Sequence, residues 1–184
     1  MQTLPDQYKW LQNEGAPKML VEALKLYGVI ETPGKGSNPV INAWAKEVGG
    51  NVADVYTADE IPWCGLLTAV CAKRSGYPLP KDPLWALNWG TFGDKQCEPM
   101  LGDVLVFVRK TSTGAAAGHV AIYVGEDATA YHTLGGNQSD MVCITRMPKT
   151  RLYAIRRPHF KVAQPFNVRK VMLSAKGALS TTEA

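Results

Sequence analysis

The chain has 184 residues, of which 46% are hydrophobic and 20% are charged. This length and composition suffice for one domain with a buried core and exclude a largely disordered chain. The formal net charge of +4 is small and its basic residues are scattered. It therefore does not indicate nucleic-acid binding, although it favours approach to an anionic surface such as a cell wall.

Both the N-terminal segment and the cysteines limit the possible classes of protein. Residues 1–16 are predicted to form a polar lead that lacks the apolar run of a secretory signal peptide. No segment approaches the roughly 18 apolar residues of a membrane helix, so we expect no stable membrane insertion. The spacing of Cys64, Cys71, Cys97 and Cys143 matches no zinc or CxxC motif. We therefore expect reduced thiols, no metal and no cofactor.

Helices are predicted in the first half of the chain. Apolar residues repeat at helical spacing over residues 17–28 and 39–48, and Asn38 is a good N-cap for the second helix. A third helix is predicted from about Trp63 to Ser75, and its almost wholly apolar sequence indicates burial on most sides. Residues 84–89 form a short helix in this prediction, and residues 51–58 are irregular.

The period of the hydrophobic pattern changes to two in the second half. Strands are predicted over residues 103–109, 119–124, 129–134, 141–147 and 152–156. Their short connections, such as the turn over 110–118, favour an antiparallel meander, and helices followed by strands indicate an α+β fold. One domain is therefore predicted over 17–160. Residues 161–184 are predicted to be a basic and polar tail that is partly disordered.

Cys64 is the strongest candidate for a catalytic residue. It stands in the stretch Asp59–Leu67, at the predicted start of the apolar helix. Unpaired N–H groups and a partial positive charge at a helix N-terminus stabilise a thiolate, which is the nucleophilic form of cysteine. Such a position together with a nearby imidazolium can bring the thiol pKa from about 8.5 to roughly 3.5–7.5. The alternative is an inert core cysteine, which is the interpretation we favour for Cys71.

A nucleophilic thiol needs a base, and the chain has three histidines. His119 opens an apolar strand after a glycine-containing turn, so we expect it at a sheet edge where a groove can form. His132 lies in a less apolar strand and is predicted to be structural. His159 follows two arginines and a proline, outside the predicted sheet core. His119 is therefore the predicted base.

The group that orients the base is predicted in the bend that follows the next strand. This bend reads Gly135-Gly136-Asn137-Gln138, and Asn137 is the predicted orienting residue, with Gln138 as its substitute. The alternative is that Asn137 only adopts a left-handed turn conformation.

Several other residues are candidate substrate contacts. Asp59 and Glu60 are predicted to hold a substrate amine or to cap the helix, and Trp63 to wall the groove or to pack with one edge exposed. Gln138 is also a candidate substrate contact. Trp85 and Trp89 are typical of core packing, with stacking on sugar rings as the alternative.

Taken together, the motifs resemble a known family. They occur in the order Pro33–Pro39, Asp59–Cys64, Gly102–Phe107, Gly118–Gly125 and Leu134–Gln138. This order resembles the NlpC/P60 and CHAP superfamily of papain-like cysteine hydrolases, and in particular a subfamily found in phages and prophages. The likeness covers roughly residues 17–158. It implies a nucleophile helix packed on a five- to six-stranded antiparallel sheet.

The resemblance also implies a function. It implies a phage endolysin-like peptidoglycan hydrolase that cuts an amide bond of the peptide stem, with Cys64 as nucleophile and His119 as base. Asn137 would be the third catalytic residue, although this position varies within the superfamily. A monomer is implied that is made in the host cytoplasm and reaches the wall after release by a holin. The resemblance does not say which amide bond is cut. It also does not identify the oxyanion donor, for which the Cys64 backbone N–H and Tyr56 are candidates.

Three other hypotheses remain at this point. The chain could be a catalytically idle module that binds the cell wall or belongs to a virion. It could be a secreted antibacterial amidase. A zinc site built from Cys64, Cys71, His119 and His132 is disfavoured, because ligands seven residues apart on a helix match no known metal spacing.

Overall fold

The computed structural model describes residues 3–34, 36–110 and 114–180. The α-helices are α1 Lys18–Lys25, α2 Pro39–Val48, α3 Asn51–Val55 and α4 Cys64–Arg74. Three 3₁₀ helices cover Asp6–Asn13, Ala86–Thr91 and Lys149–Arg151. The strands are β1 Asp94–Lys95, β2 Val104–Lys110, β3 Ala116–Glu126, β4 Ala130–Gly135, β5 Cys143–Pro148 and β6 Leu152–Arg157. Lys35, residues 111–113 of the predicted turn and residues 181–184 of the predicted tail lie outside the described residues.

All six strands form one antiparallel sheet in the order β1-β6-β2-β3-β4-β5. This confirms the predicted α+β class and the antiparallel sheet. The sequence did not indicate β1, because a strand of two residues is too short to show a period. The five-residue helix α3 likewise replaces part of the segment predicted to be irregular.

Helix α4 lies at the centre of the fold. Every residue from Cys64 to Ala72 is buried, as its apolar sequence predicted. Its side chains Leu66 and Val70 belong to the same core cluster as Val106 of β2 and Val120 of β3. The helix is thereby held against one face of the sheet, with its N-terminus beside β3.

The opposite face of the sheet is also covered. The alternate residues Leu105 and Phe107 of β2 join Tyr123, Met147 and Ile155 in a second, smaller cluster. Because side chains alternate between the faces of a strand, the nearly continuous apolar run of β2 supplies both clusters. The strands that carry the candidate site are therefore anchored from two sides.

The described residues of both chain ends pack against the rest of the fold. The polar lead contains a 3₁₀ helix whose Tyr8 and Leu11 are buried in the core. In the tail, the described residues 161–180 return to the sheet. Leu173 N–H donates to the Glu126 carbonyl over 2.8 Å, and Ser180 N–H donates to the Arg146 carbonyl over 2.9 Å. Among the described residues, every helix is too short or too polar to cross a bilayer.

Candidate active site

Cys64 is the first residue of α4, where the sequence placed it. Its backbone N–H therefore belongs to the first turn, whose N–H groups lack partners within the helix. The residue is only 4% exposed. Within the first turn, Thr68 Oγ1 donates to the Cys64 carbonyl over 2.9 Å.

The surroundings of the Cys64 thiol favour its charged form. Burial alone would raise the pKa of this thiol, because a thiolate loses hydration in the interior. The hydrogen bond and positive charge of His119 act in the opposite direction, and the backbone N–H groups of Val120 and Gly65 add to them. The net result is a pKa below the ordinary value for cysteine. The structure thus brings the predicted nucleophile and the predicted base together.

His119 lies near the start of β3 and is 1% exposed. Its Nε2 atom lies 3.0 Å from Oε1 of Gln138. An amide oxygen only accepts hydrogen bonds, so Nε2 must carry a proton. The nitrogen left to serve the Cys64 thiol is therefore Nδ1.

The orientation of the Gln138 amide is fixed by backbone groups. Its Nε2 donates to the Cys143 carbonyl over 2.6 Å and to the Thr133 carbonyl over 3.3 Å. These carbonyls accept only from the NH₂ end of the amide, so the oxygen is directed towards His119. The neighbouring strands β4 and β5 thereby select one tautomer of the histidine, which is the usual role of a third catalytic residue.

Gln138, and not Asn137, provides the hydrogen bond on Nε2 of His119. Asn137 is buried and has a left-handed backbone with φ of 54°. This conformation turns the chain between β4 and β5, and the next side chain then lies against the histidine. The backbone of Asn137 therefore agrees with the alternative interpretation, in which this residue forms the turn. Gln138, which the sequence suggested only as a substitute for Asn137, lies against the imidazole.

Two predicted substrate contacts have structural partners instead. Trp63 is fully buried with no exposed edge, and its Nε1 donates to Glu31 Oε2 over 3.0 Å. Asp59 is 1% exposed, and its Oδ2 accepts from the backbone N–H groups of Asn38 and Thr32 over 2.7 and 3.0 Å. Both residues therefore hold the loop before α2 against the start of α4.

Glu60 is the predicted substrate contact that remains accessible. It is exposed and lines a pocket of about 430 Å³ together with Glu31, Thr32, Ser139 and Asp140. This pocket lies between the loop that Asp59 holds and the bend that carries Gln138. A larger cavity of about 600 Å³ separates the N-terminal 3₁₀ helix from β5 and the tail, and neither Cys64 nor His119 lines it.

His132 belongs to a separate buried cluster, which supports its predicted structural role. Its Nε2 lies 2.9 Å from Asp127 Oδ2, so Nδ1 accepts from the Tyr8 hydroxyl over 2.6 Å. Arg146 Nε donates to the same Asp127 oxygen over 2.8 Å and holds the pKa of that carboxyl well below its usual range. No sequence signal could have found this cluster, because Tyr8 lies 124 residues from His132.

This arrangement contradicts the hypothetical zinc site. His132 is engaged by Asp127 and Tyr8, and Cys71 is completely buried, which raises the pKa of its thiol to about 12. Within the described ranges, no group of three or more His, Cys, Asp or Glu residues is placed to hold a metal ion.

Tyr56 is the second candidate for the oxyanion donor, besides the backbone N–H of Cys64. Its hydroxyl is buried, and no hydrogen-bond partner for it exists in the part of the chain that the structure describes. Burial and the charges of Asp59 and Glu31 raise the pKa of this phenol, so it stays protonated and can donate. The sequence identified the residue but not its lack of a partner.

Comparisons of the chain with protein-family models, with curated proteins and with solved structures found no match.

Proposed function

We propose that this chain is a cysteine-type amide hydrolase that cleaves the peptide stem of peptidoglycan. The observation that carries the proposal is the aligned series of Cys64, His119 and Gln138. In it, the thiol pKa is lowered at a helix start and the tautomer of the imidazole is fixed by the 3.0 Å contact to a backbone-held amide. A cysteine whose role was only to fill the core would have a raised pKa, as Cys71 has.

Acylation follows from this geometry. The Cys64 thiolate attacks the amide carbonyl carbon, and the carbonyl oxygen becomes an oxyanion. The backbone N–H of Cys64, at the start of α4, is positioned to stabilise this charge, with the Tyr56 hydroxyl as the second candidate. His119 then gives its Nδ1 proton to the leaving amine, the C–N bond breaks, and a thioester on Cys64 remains.

Deacylation uses the same groups in reverse. Neutral His119 takes a proton from water through Nδ1, and the resulting hydroxide attacks the thioester. The C–S bond breaks, the product leaves as a carboxylic acid that ionises by losing its proton to solvent, and the Cys64 thiolate is restored beside protonated His119. Gln138 accepts the Nε2 hydrogen bond throughout and supports the imidazolium whenever it forms.

The choice of substrate rests on the motif order that resembles the NlpC/P60 and CHAP superfamily. The papain-like arrangement of α4 against the sheet is part of the same proposal, as are action on the wall after release from the host cytoplasm and lysis of the cell. Exposed Glu60, beside the pocket next to the Gln138 bend, is the proposed contact for a substrate amine.

A lysis assay tests this function. The turbidity of permeabilised bacteria should fall with the parent protein and stay constant with Cys64→Ala, while Cys97→Ala, which alters an exposed cysteine, should lyse like the parent. Mass spectrometry of digested peptidoglycan should show one newly formed amine and carboxylate per cleavage. Equal lysis by Cys64→Ala, with an unchanged melting temperature, would mean that the proposed chemistry is wrong.

A further inference from the structure

A short segment lies directly over the neighbours of both catalytic residues. A Cβ built on Gly65, next to Cys64, would stand 2.6 Å from the Leu84 carbonyl oxygen. A Cβ built on Gly118, next to His119, would stand 2.9 Å from Cγ of Leu87. Only glycine allows approaches this close. Residues 83–87 therefore pack against the chain neighbours of the proposed nucleophile and base.

This segment is held rigidly. Trp89 is fully buried, and its Nε1 donates to the Pro83 carbonyl over 2.9 Å. The Asn88 amide donates to the carbonyls of Lys81 and Asp82 over 2.9 and 3.2 Å, and Trp85 N–H donates to the Asp82 carbonyl over 3.0 Å. These hydrogen bonds restrict the backbone of the segment, and with it the position of the side chain in its middle.

That side chain is the indole of Trp85, which is 55% exposed. The other tryptophans differ: Trp44, Trp63 and Trp89 are at most 2% exposed, and Trp10 is half-buried beneath the Arg169 guanidinium. Leaving so much apolar surface in water is unfavourable. An exposed tryptophan on a hydrogen-bonded segment is typical of a ligand platform, because its side chain has few rotatable bonds and loses little entropy on binding.

We propose that Trp85 stacks against a sugar ring of the glycan strand to which the peptide stem is attached. This inference rests on the proposed function. A pyranose ring presents a face of C–H groups that fits the flat indole. The glycan strand of peptidoglycan consists of such rings. The contacts of residues 83–87 with Gly65 and Gly118 put this segment against the residues that adjoin Cys64 and His119 in the chain.

Binding can be tested without catalysis. In a Cys64→Ala background, titration with the N-acetylglucosamine trimer should change the tryptophan fluorescence, and Trp85→Phe should remove most of this signal. Trp85→Ala should weaken binding about 10-fold or more, as truncation of an aromatic anchor does. Phe166→Ala, which removes a fully exposed aromatic side chain from the tail, should bind the trimer like its background protein.

A kinetic comparison separates this inference from the proposed function. With Cys64 intact, Trp85→Ala should lower kcat/KM about 10-fold for glycan-attached stems and far less for free stem peptides, with Trp85→Phe intermediate. Equal losses on both substrates, or unchanged trimer binding by Trp85→Ala, would overturn the sugar platform. If the parent cleaves neither substrate, the hydrolase proposal fails, and the binding experiment alone decides the role of Trp85.

Discussion

Replacing Gln138 by alanine should slow the proposed hydrolysis strongly while leaving the nucleophile and base in place. The substitution removes the acceptor 3.0 Å from His119 Nε2. When the imidazole is protonated this bond is charge-assisted, and such bonds contribute about 1.5–3 kcal/mol. At about 1.4 kcal/mol per tenfold, we expect kcat to fall roughly 10- to 100-fold.

The same substitution should also cost stability, because the Thr133 and Cys143 carbonyls lose their donor. About 1–3 kcal/mol is expected, since buried polar groups are left without a partner. Activity should therefore be measured well below the melting temperature of the variant, and thermal unfolding should be followed in parallel.

A pH profile distinguishes orientation of the base from a purely structural effect. Without the acceptor, protonated His119 is less stable, so its pKa falls and the stabilisation that it gives the Cys64 thiolate weakens. The acidic limb of the kcat/KM profile should move to higher pH and the basic limb to lower pH. Asn137→Gly is the matched control, because glycine keeps the φ of 54° while removing the neighbouring side chain. Loss of activity by this control equal to that of Gln138→Ala, or an unshifted profile in Gln138→Ala, would refute the assignment.

Three further predictions follow from the electrostatics of the described residues. Because the pKa of Cys64 is lowered and that of Cys71 is raised to about 12, iodoacetamide should modify the folded protein at Cys64 below pH 8.5, and Cys64→Ala should abolish this rapid phase. The pKa of Asp127 is depressed in the folded protein, so this carboxylate stabilises the fold above its unfolded pKa of about 3.9, and the stabilisation is lost as pH falls below that value. Asp127→Asn should therefore lower the melting temperature at pH 7 and make the melting temperature less dependent on acid pH. An unchanged melting curve would contradict the role of the His132 cluster. Tyr56→Phe should lower kcat about 10²- to 10³-fold if the phenol is the oxyanion donor, and kcat should stay within twofold if the Cys64 N–H acts alone.

Much of the fold could be predicted because its signals are local. The apolar run of α4, the N-cap of α2 and the alternating strands each reflect residues close in sequence, and the α+β order follows from them. Cys64 at a helix start and His119 at the beginning of an apolar strand could be identified in the same way. The two-residue strand β1 and the pairing of the tail with β3 and β5 could not, because they depend on contacts with distant strands.

The sequence by itself determined the candidate nucleophile, its helix and the candidate base. Only the tertiary structure decided between Asn137 and Gln138, because a left-handed φ at one residue determines which of two neighbouring amides reaches the histidine. The same holds for the tryptophans: residues 85 and 89 lie one helical turn apart in the sequence, yet Trp85 is exposed and Trp89 is buried. Burial and orientation depend on how distant segments pack, and the pattern within a single segment does not contain that information.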